Sequence, residues 1–207
     1  MNRAWALAAA GALAALALGC GPGPRGGGDD GWSAPLEGLQ IKVEVPGACR
    51  AGGEAVATLR MRNVSRRDLR IYLIGDERLR YGKSMLCVMN HNRDLVAVQP
   101  ELITDEPKME AGDFHLLTAG RELVFKQTLR FTEPSFDAGG PFVVRWRYEN
   151  QLGYWRGRRA AALAGTPKPV RPGGAIPGIW IGELEAETLI KVMPEEDAPA
   201  TAATAAR

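Results

Sequence analysis

Pro141-Phe142-Val143-Val144-Arg145-Trp146-Arg147-Tyr148-Glu149-Asn150 is the stretch on which the fold turns. Phe142, Val144, Trp146 and Tyr148 fall on one side of an extended chain and Arg145, Arg147 and Glu149 on the other, a period of two that marks a half-buried β-strand. Four large apolar groups on one face need a second sheet to cover them. The segment is therefore expected to be the central strand of a sandwich, with its aromatics packed against Trp180 on the last strand.

The same period recurs on both sides of it. Leu39 to Val45 alternates and stops at Pro46-Gly47; Ala55 to Arg62 sets Ala57, Leu59 and Met61 against Thr58, Arg60 and Arg62. Leu69, Ile71 and Leu73 alternate with Arg70 and Tyr72. Met85–Met89 and Leu95–Val98 flank the polar run Asn90-His91-Asn92-Arg93-Asp94, which reads as a hairpin tip. Leu123 to Phe131 alternates strongly after the turn Thr118-Ala119-Gly120-Arg121, and Trp180–Leu184 with Thr188–Met193 forms a final bent strand. No segment of the mature chain combines helical periodicity with credible caps.

With 207 residues and 45% hydrophobic content, the chain has room for one domain and its flanking segments. A domain of about 155 residues buries roughly two-thirds of its unfolded surface, so its core needs no cofactor. A net charge of +2 excludes the concentrated positive field that duplex nucleic acid requires. The expected fold is all-β, a single antiparallel β-sandwich of about 7–9 strands over residues 35–193, with an eight-stranded barrel as the alternative closure. Asp137, Gly139 and Phe142 resemble the Asp-Gly-aromatic corner of immunoglobulin-type sandwiches, with Phe142 where that corner has a tyrosine. Residues 38–193 as a whole resemble the Ig-like or fibronectin-like modules of bacterial envelope lipoproteins, a class mostly without assigned function.

Residues 1–19 have secretory signal architecture. Met1-Asn2-Arg3 gives a positive start, and Ala4–Leu18 is an Ala/Leu run too short for the roughly 20 residues of a membrane span. Leu16-Ala17-Leu18-Gly19-Cys20 resembles the lipobox of bacterial lipoproteins, which implies a lipid on Cys20 and attachment to a membrane. Gly21 in place of an aspartate then implies the outer membrane. Ala15-Leu16-Ala17 is the alternative, an A-x-A site for ordinary signal peptidase. Residues 20–34, rich in Gly and Pro, form a flexible tether spanning roughly 20 Å. Gly21-Pro22-Gly23-Pro24-Arg25-Gly26 has G-x-G-x-x-G spacing without the flanking strand and helix that a dinucleotide site needs. Residues 194–207 read as a disordered tail.

Candidate sites are few. Cys49 and Cys87 are the two thiols left after Cys20; in an oxidising compartment they could form a disulfide, contributing roughly 3–4 kcal/mol, or stand as separate buried thiols. There is no G-x-S-x-G or H-E-x-x-H, and His91, His115, Ser33, Ser65, Ser84 and Ser135 have no partners in sequence, with all four serines in tether or turn stretches. No catalytic residue is expected. Asp105, Glu106, Glu110 and Asp113 are potential oxygen ligands for calcium, but lack EF-hand spacing and read more simply as a solvated loop, so no metal site is assigned. Arg60, Arg62, Arg145 and Arg147 are candidates to attract an anionic polymer or to form cross-strand ion pairs with Glu44 and Glu149.

The strongest binding candidate is the connection 151–177, which carries Tyr154, Trp155, Arg156, Arg158 and Arg159, the aromatic-plus-arginine composition of interface hot spots. The plainer account folds Tyr154 and Trp155 back onto the sheet edge and leaves the arginines solvated. The functional expectation is a non-enzymatic, lipid-anchored envelope protein that binds a protein or anionic polymer through its end loops. The second expectation is a regulator or inhibitor of a secreted enzyme acting through residues 151–177.

Overall fold

The computed structural model describes residues 30–73, 84–99 and 109–194. Cys20, the signal segment, most of the tether, nearly all of the tail, and Asp105 and Glu106 lie outside the described residues. The chain is all-β, and ten strands are described. In order they are β1 (Leu39–Glu44), β2 (Ala48–Arg50), β3 (Glu54–Asn63), β4 (Leu69–Tyr72), β5 (Ser84–Met89), β6 (Leu95–Gln99), β7 (Phe114–Leu117), β8 (Glu122–Arg130), β9 (Gly140–Asn150) and β10 (Gly182–Met193). They form a sheet β1-β3-β8, a sheet β2-β10-β9-β5-β6 and a two-stranded ribbon β4-β7.

The first two sheets face one another as a sandwich. Leu39, Ile41 and Val43 of β1 and Ala57, Leu59 and Met61 of β3 meet Phe142, Val144, Trp146 and Tyr148 of β9 in one buried cluster, completed by Leu184, Ala186, Ile190 and Val192 of β10. The opening stretch is a central strand, bonded to β10 on one side and β5 on the other. Inside the core the indole of Trp146 donates to Ser84 Oγ at 2.9 Å, and Tyr148 stacks on Trp180 with centroids 5.3 Å apart. Ser84 therefore opens a strand and is buried, not placed in a turn. The corner before β9 is closed by rings: Phe131 meets Phe136 at 5.1 Å and Phe136 meets Phe142 at 5.0 Å, both edge-on.

Three expectations are corrected. The pairing is not wholly antiparallel, because β2 runs parallel to β10. Pro46-Gly47 ends β1 in one sheet, and the chain re-enters as β2 in the other. The last strand is one continuous run of 12 residues, and Trp180 precedes it. Finally, β4 is buried on both faces: Arg70 and Tyr72, which alternation assigns to solvent, are covered by the connection between β9 and β10.

The arginines of the flat faces form cross-strand pairs. Arg60 reaches Glu44 and Glu122, each at 2.8 Å. Arg145 reaches Glu187 at 2.7 Å, and Arg147 reaches Glu183 at 2.7 Å. Arg93, at the β5–β6 tip, adds two bonds to Glu187. Burial pulls the Glu187 carboxyl up, but the bonds from Arg93 and Arg145 outweigh it and hold the group below its ordinary range.

Candidate functional site

The connection between β9 and β10 is a folded platform with a core of its own. Leu152, Trp155, Ala161, Leu163, Val170 and Ile176 pack on Tyr72 of β4 and Phe114 of β7. The aromatic centroids run in series, Tyr72 to Phe114 at 4.9 Å and Phe114 to Trp155 at 5.8 Å. Two isolated bridges, Tyr154 with Ala175 and Ala161 with Val170, fold the segment back on itself. Asn150, at the end of β9, ties platform to sheet: its Oδ1 accepts from Leu152 N–H at 2.9 Å and its Nδ2 donates to the Trp180 carbonyl at 2.6 Å.

Arg70 fastens the platform from beneath. Its backbone bonds to Gly178 and Trp180, and its guanidinium donates to the carbonyls of Pro177 and Ala164. The residue is only 3% exposed, and the described residues place no carboxylate in ion-pair contact with it. Burial alone lowers its affinity for the proton, yet a guanidinium remains charged at any ordinary pH. A permanent positive charge thus lies under the segment.

The expected binding residues separate. Trp155 is 5% exposed; its indole donates to the Arg159 carbonyl at 2.7 Å, curling residues 156–159 around the ring. Gly157 lies flat on that ring, and a Cβ there would come within 2.4 Å of it. Trp155 is therefore a packing residue, as the plainer reading has it. Tyr154 is 63% exposed, and Arg156, Arg158 and Arg159 project to solvent around it. Neighbours in an extended chain point to opposite sides, which explains how adjacent aromatics part company.

The disulfide between Cys49 and Cys87 is not formed. Cys49 is on β2 and Cys87 on β5, three strand steps apart in the same sheet, or about 14 Å. Cys49 is opposite Val192, which is opposite Gly140, whereas Cys87 is opposite Arg145. That adds five residues along the strand, about 17 Å. Cys49 also belongs to the interior, while Cys87 shares the outer face with Arg145. A disulfide needs Cα atoms within roughly 7 Å. Burial raises the Cys49 thiol, favouring its protonated form.

Among the described residues, no group of three or more His, Cys, Asp and Glu side chains is placed to hold a metal ion. Of the proposed calcium ligands, Asp113 is buried and accepts the Glu110 N–H at 2.8 Å, closing a turn. A recess of about 220 Å³ lies beside the platform between Glu37, Arg67, Leu69 and Gly178–Ile181, below the roughly 300–1,000 Å³ of sites that enclose small molecules. No described helix is long and apolar enough to cross a membrane.

What sequence reasoning missed is a charge asymmetry open to simple counting. Residues 151–182 hold five of the 26 cationic side chains (Arg156, Arg158, Arg159, Lys168, Arg171) and none of the 24 acids, so they carry +5 while the remainder carries −3.

No protein-family model matches the chain, and no curated protein does. Among solved structures, the chain is similar to a mutant β-glucosidase from Listeria innocua in complex with laminaribiose (11% identity, TM-score 0.31) and to β-glucosidase from Listeria innocua in complex with isofagomine (10% identity, TM-score 0.31). The similarity covers 78% and 77% of this chain and 16% of each of those chains.

Proposed function

We propose that the protein is a non-enzymatic envelope protein, anchored by a lipid on Cys20, whose sandwich carries a binding platform at residues 151–177. One observation carries this reading. The platform spends its own apolar core on holding a loop rigid, and what that segment presents is an exposed tyrosine with Arg158, Arg159, Lys168 and Arg171, which have no acidic partner among the described residues. Ordering the loop before binding lowers the entropy lost on contact.

Photo-crosslinking in intact envelopes tests the reading. A photoreactive residue at Tyr154 should give discrete adducts, and the same residue at Val56, which is exposed on the outer face of the β1-β3-β8 sheet, should give none. Equal labelling at both positions would sink the proposal. A secreted enzyme as the adduct would shift it to the second reading, a regulator acting through residues 151–177. The anchor is tested separately by labelling with a palmitate analogue, which should mark the wild type but not Cys20→Ser.

A further inference from the structure

We infer that the platform lies on an anionic phospholipid surface, so that the domain makes a second, reversible contact with the bilayer that holds its lipid. The inference rests on the binding reading above and names the partner of the same site. Two independent features converge on it.

The first is uncompensated charge. Away from the platform, Arg60, Arg62, Arg67, Arg93, Arg145 and Arg147 each contact a carboxylate. On the platform, Arg158, Arg159, Lys168 and Arg171 are exposed and have no acidic partner among the described residues. The Ala161–Val170 bridge sets Arg171 opposite Ala160, the neighbour of Arg159 in the chain. Arg70 adds its buried charge from below. Like charges gathered this way repel until an anion faces them.

The second feature selects the bilayer over a soluble polyanion. Beside the cations runs an exposed apolar ridge of Tyr154, Ile181 (49% exposed) and Leu36 (39% exposed). Ile181 lies against Gly153, the residue before Tyr154, and Leu36 lies against Gly182, the residue after Ile181. A soluble phosphate polymer would satisfy the guanidiniums and leave this ridge in water. A headgroup layer satisfies both, with guanidiniums at phosphates and the tyrosine and aliphatic groups at the acyl boundary.

The test uses the full chain with excess vesicles of phosphatidylcholine alone or with phosphatidylglycerol, reading amide hydrogen exchange at residues 154–160. Anionic vesicles should slow exchange at least tenfold relative to neutral ones, and molar salt should abolish the effect. Arg158→Gln/Arg159→Gln should weaken binding to anionic vesicles roughly thirtyfold, at about one kcal/mol per arginine near an anionic surface. Tyr154→Ser should weaken protection on vesicles without altering the salt dependence. Equal exchange on neutral and anionic vesicles would overturn the inference, as would protection by soluble polyphosphate equal to that by vesicles. A discrete protein adduct at Tyr154 in intact envelopes would overturn it while leaving the binding reading in place. A position-specific lipid adduct at Tyr154 supports it, and absence of any position-specific adduct would remove both the binding reading and the inference that rests on it.

Discussion

The sandwich core and the platform core meet at Tyr148, whose hydroxyl donates to the Tyr72 carbonyl at 3.0 Å, yet they are held by different means. The sandwich is a ladder of strand pairs in continuous register, eleven residues long between β9 and β10. Its side chains alternate with the backbone. The platform has only isolated bridges, and its order comes from one indole, a series of rings and a buried guanidinium bonded to carbonyls. Cooperative ladders open together, whereas assemblies of a few local contacts open alone.

Trp146→Ala should give the largest effect. It removes the biggest side chain at the middle of the sandwich and the partner of Ser84, and should lower unfolding free energy by about 3–5 kcal/mol, read as a fall in the urea midpoint shared by every probe. Trp155→Ala removes the same side chain from the platform. Global stability should fall by less than about 3 kcal/mol, while amide exchange across residues 152–176 rises and β9–β10 remain protected. If both variants shift the global midpoint equally, the two clusters are one cooperative unit and the contrast fails.

The middle of the scale refines the platform. Gly157→Ala places a methyl group against a rigid indole and should cost about 1–3 kcal/mol, with faster exchange confined to residues 155–160. Glu187→Gln, on the flat face, should cost only about 0.2–1 kcal/mol at neutral pH because the pair is partly solvated. Its signature is pH. The wild-type carboxyl is held below its unfolded value of about 4.3, so its contribution is complete above that pH and is lost as pH falls through the lower folded value. Thermal midpoints of the variant should therefore decline less steeply below about pH 4.3 than those of the wild type.

The strands that alternate, 39–45, 55–62, 123–131 and 142–150, were legible because one face of each meets the core and the other meets water. Even the core partnership of Trp180 with the aromatic face of β9 could be read. The platform was not, because Tyr72, Phe114, Trp155 and Ile176 share a cluster without sharing a period. Arg70 and Tyr72 were misplaced for the same reason: alternation assumes solvent on the far side of β4, and a distant segment covers it. The cysteine pairing failed on strand order, since an even count of thiols says nothing of how many strands lie between them. At the site, the segment was legible from composition, but the division of labour between Tyr154 and Trp155 depended on which way an extended chain faces.

The parallel seat of β2 on β10 has a kinetic consequence. Ala48–Arg50 pairs with Lys191–Met193, and the neighbouring Gly47 carbonyl and Ala51 amide bond to Lys191 and Met193. A strand made in the first quarter of synthesis thus waits for residues some 140 positions later before its edge is covered. Such long-range closure slows folding. A nascent chain cannot complete the sandwich until Met193 has emerged.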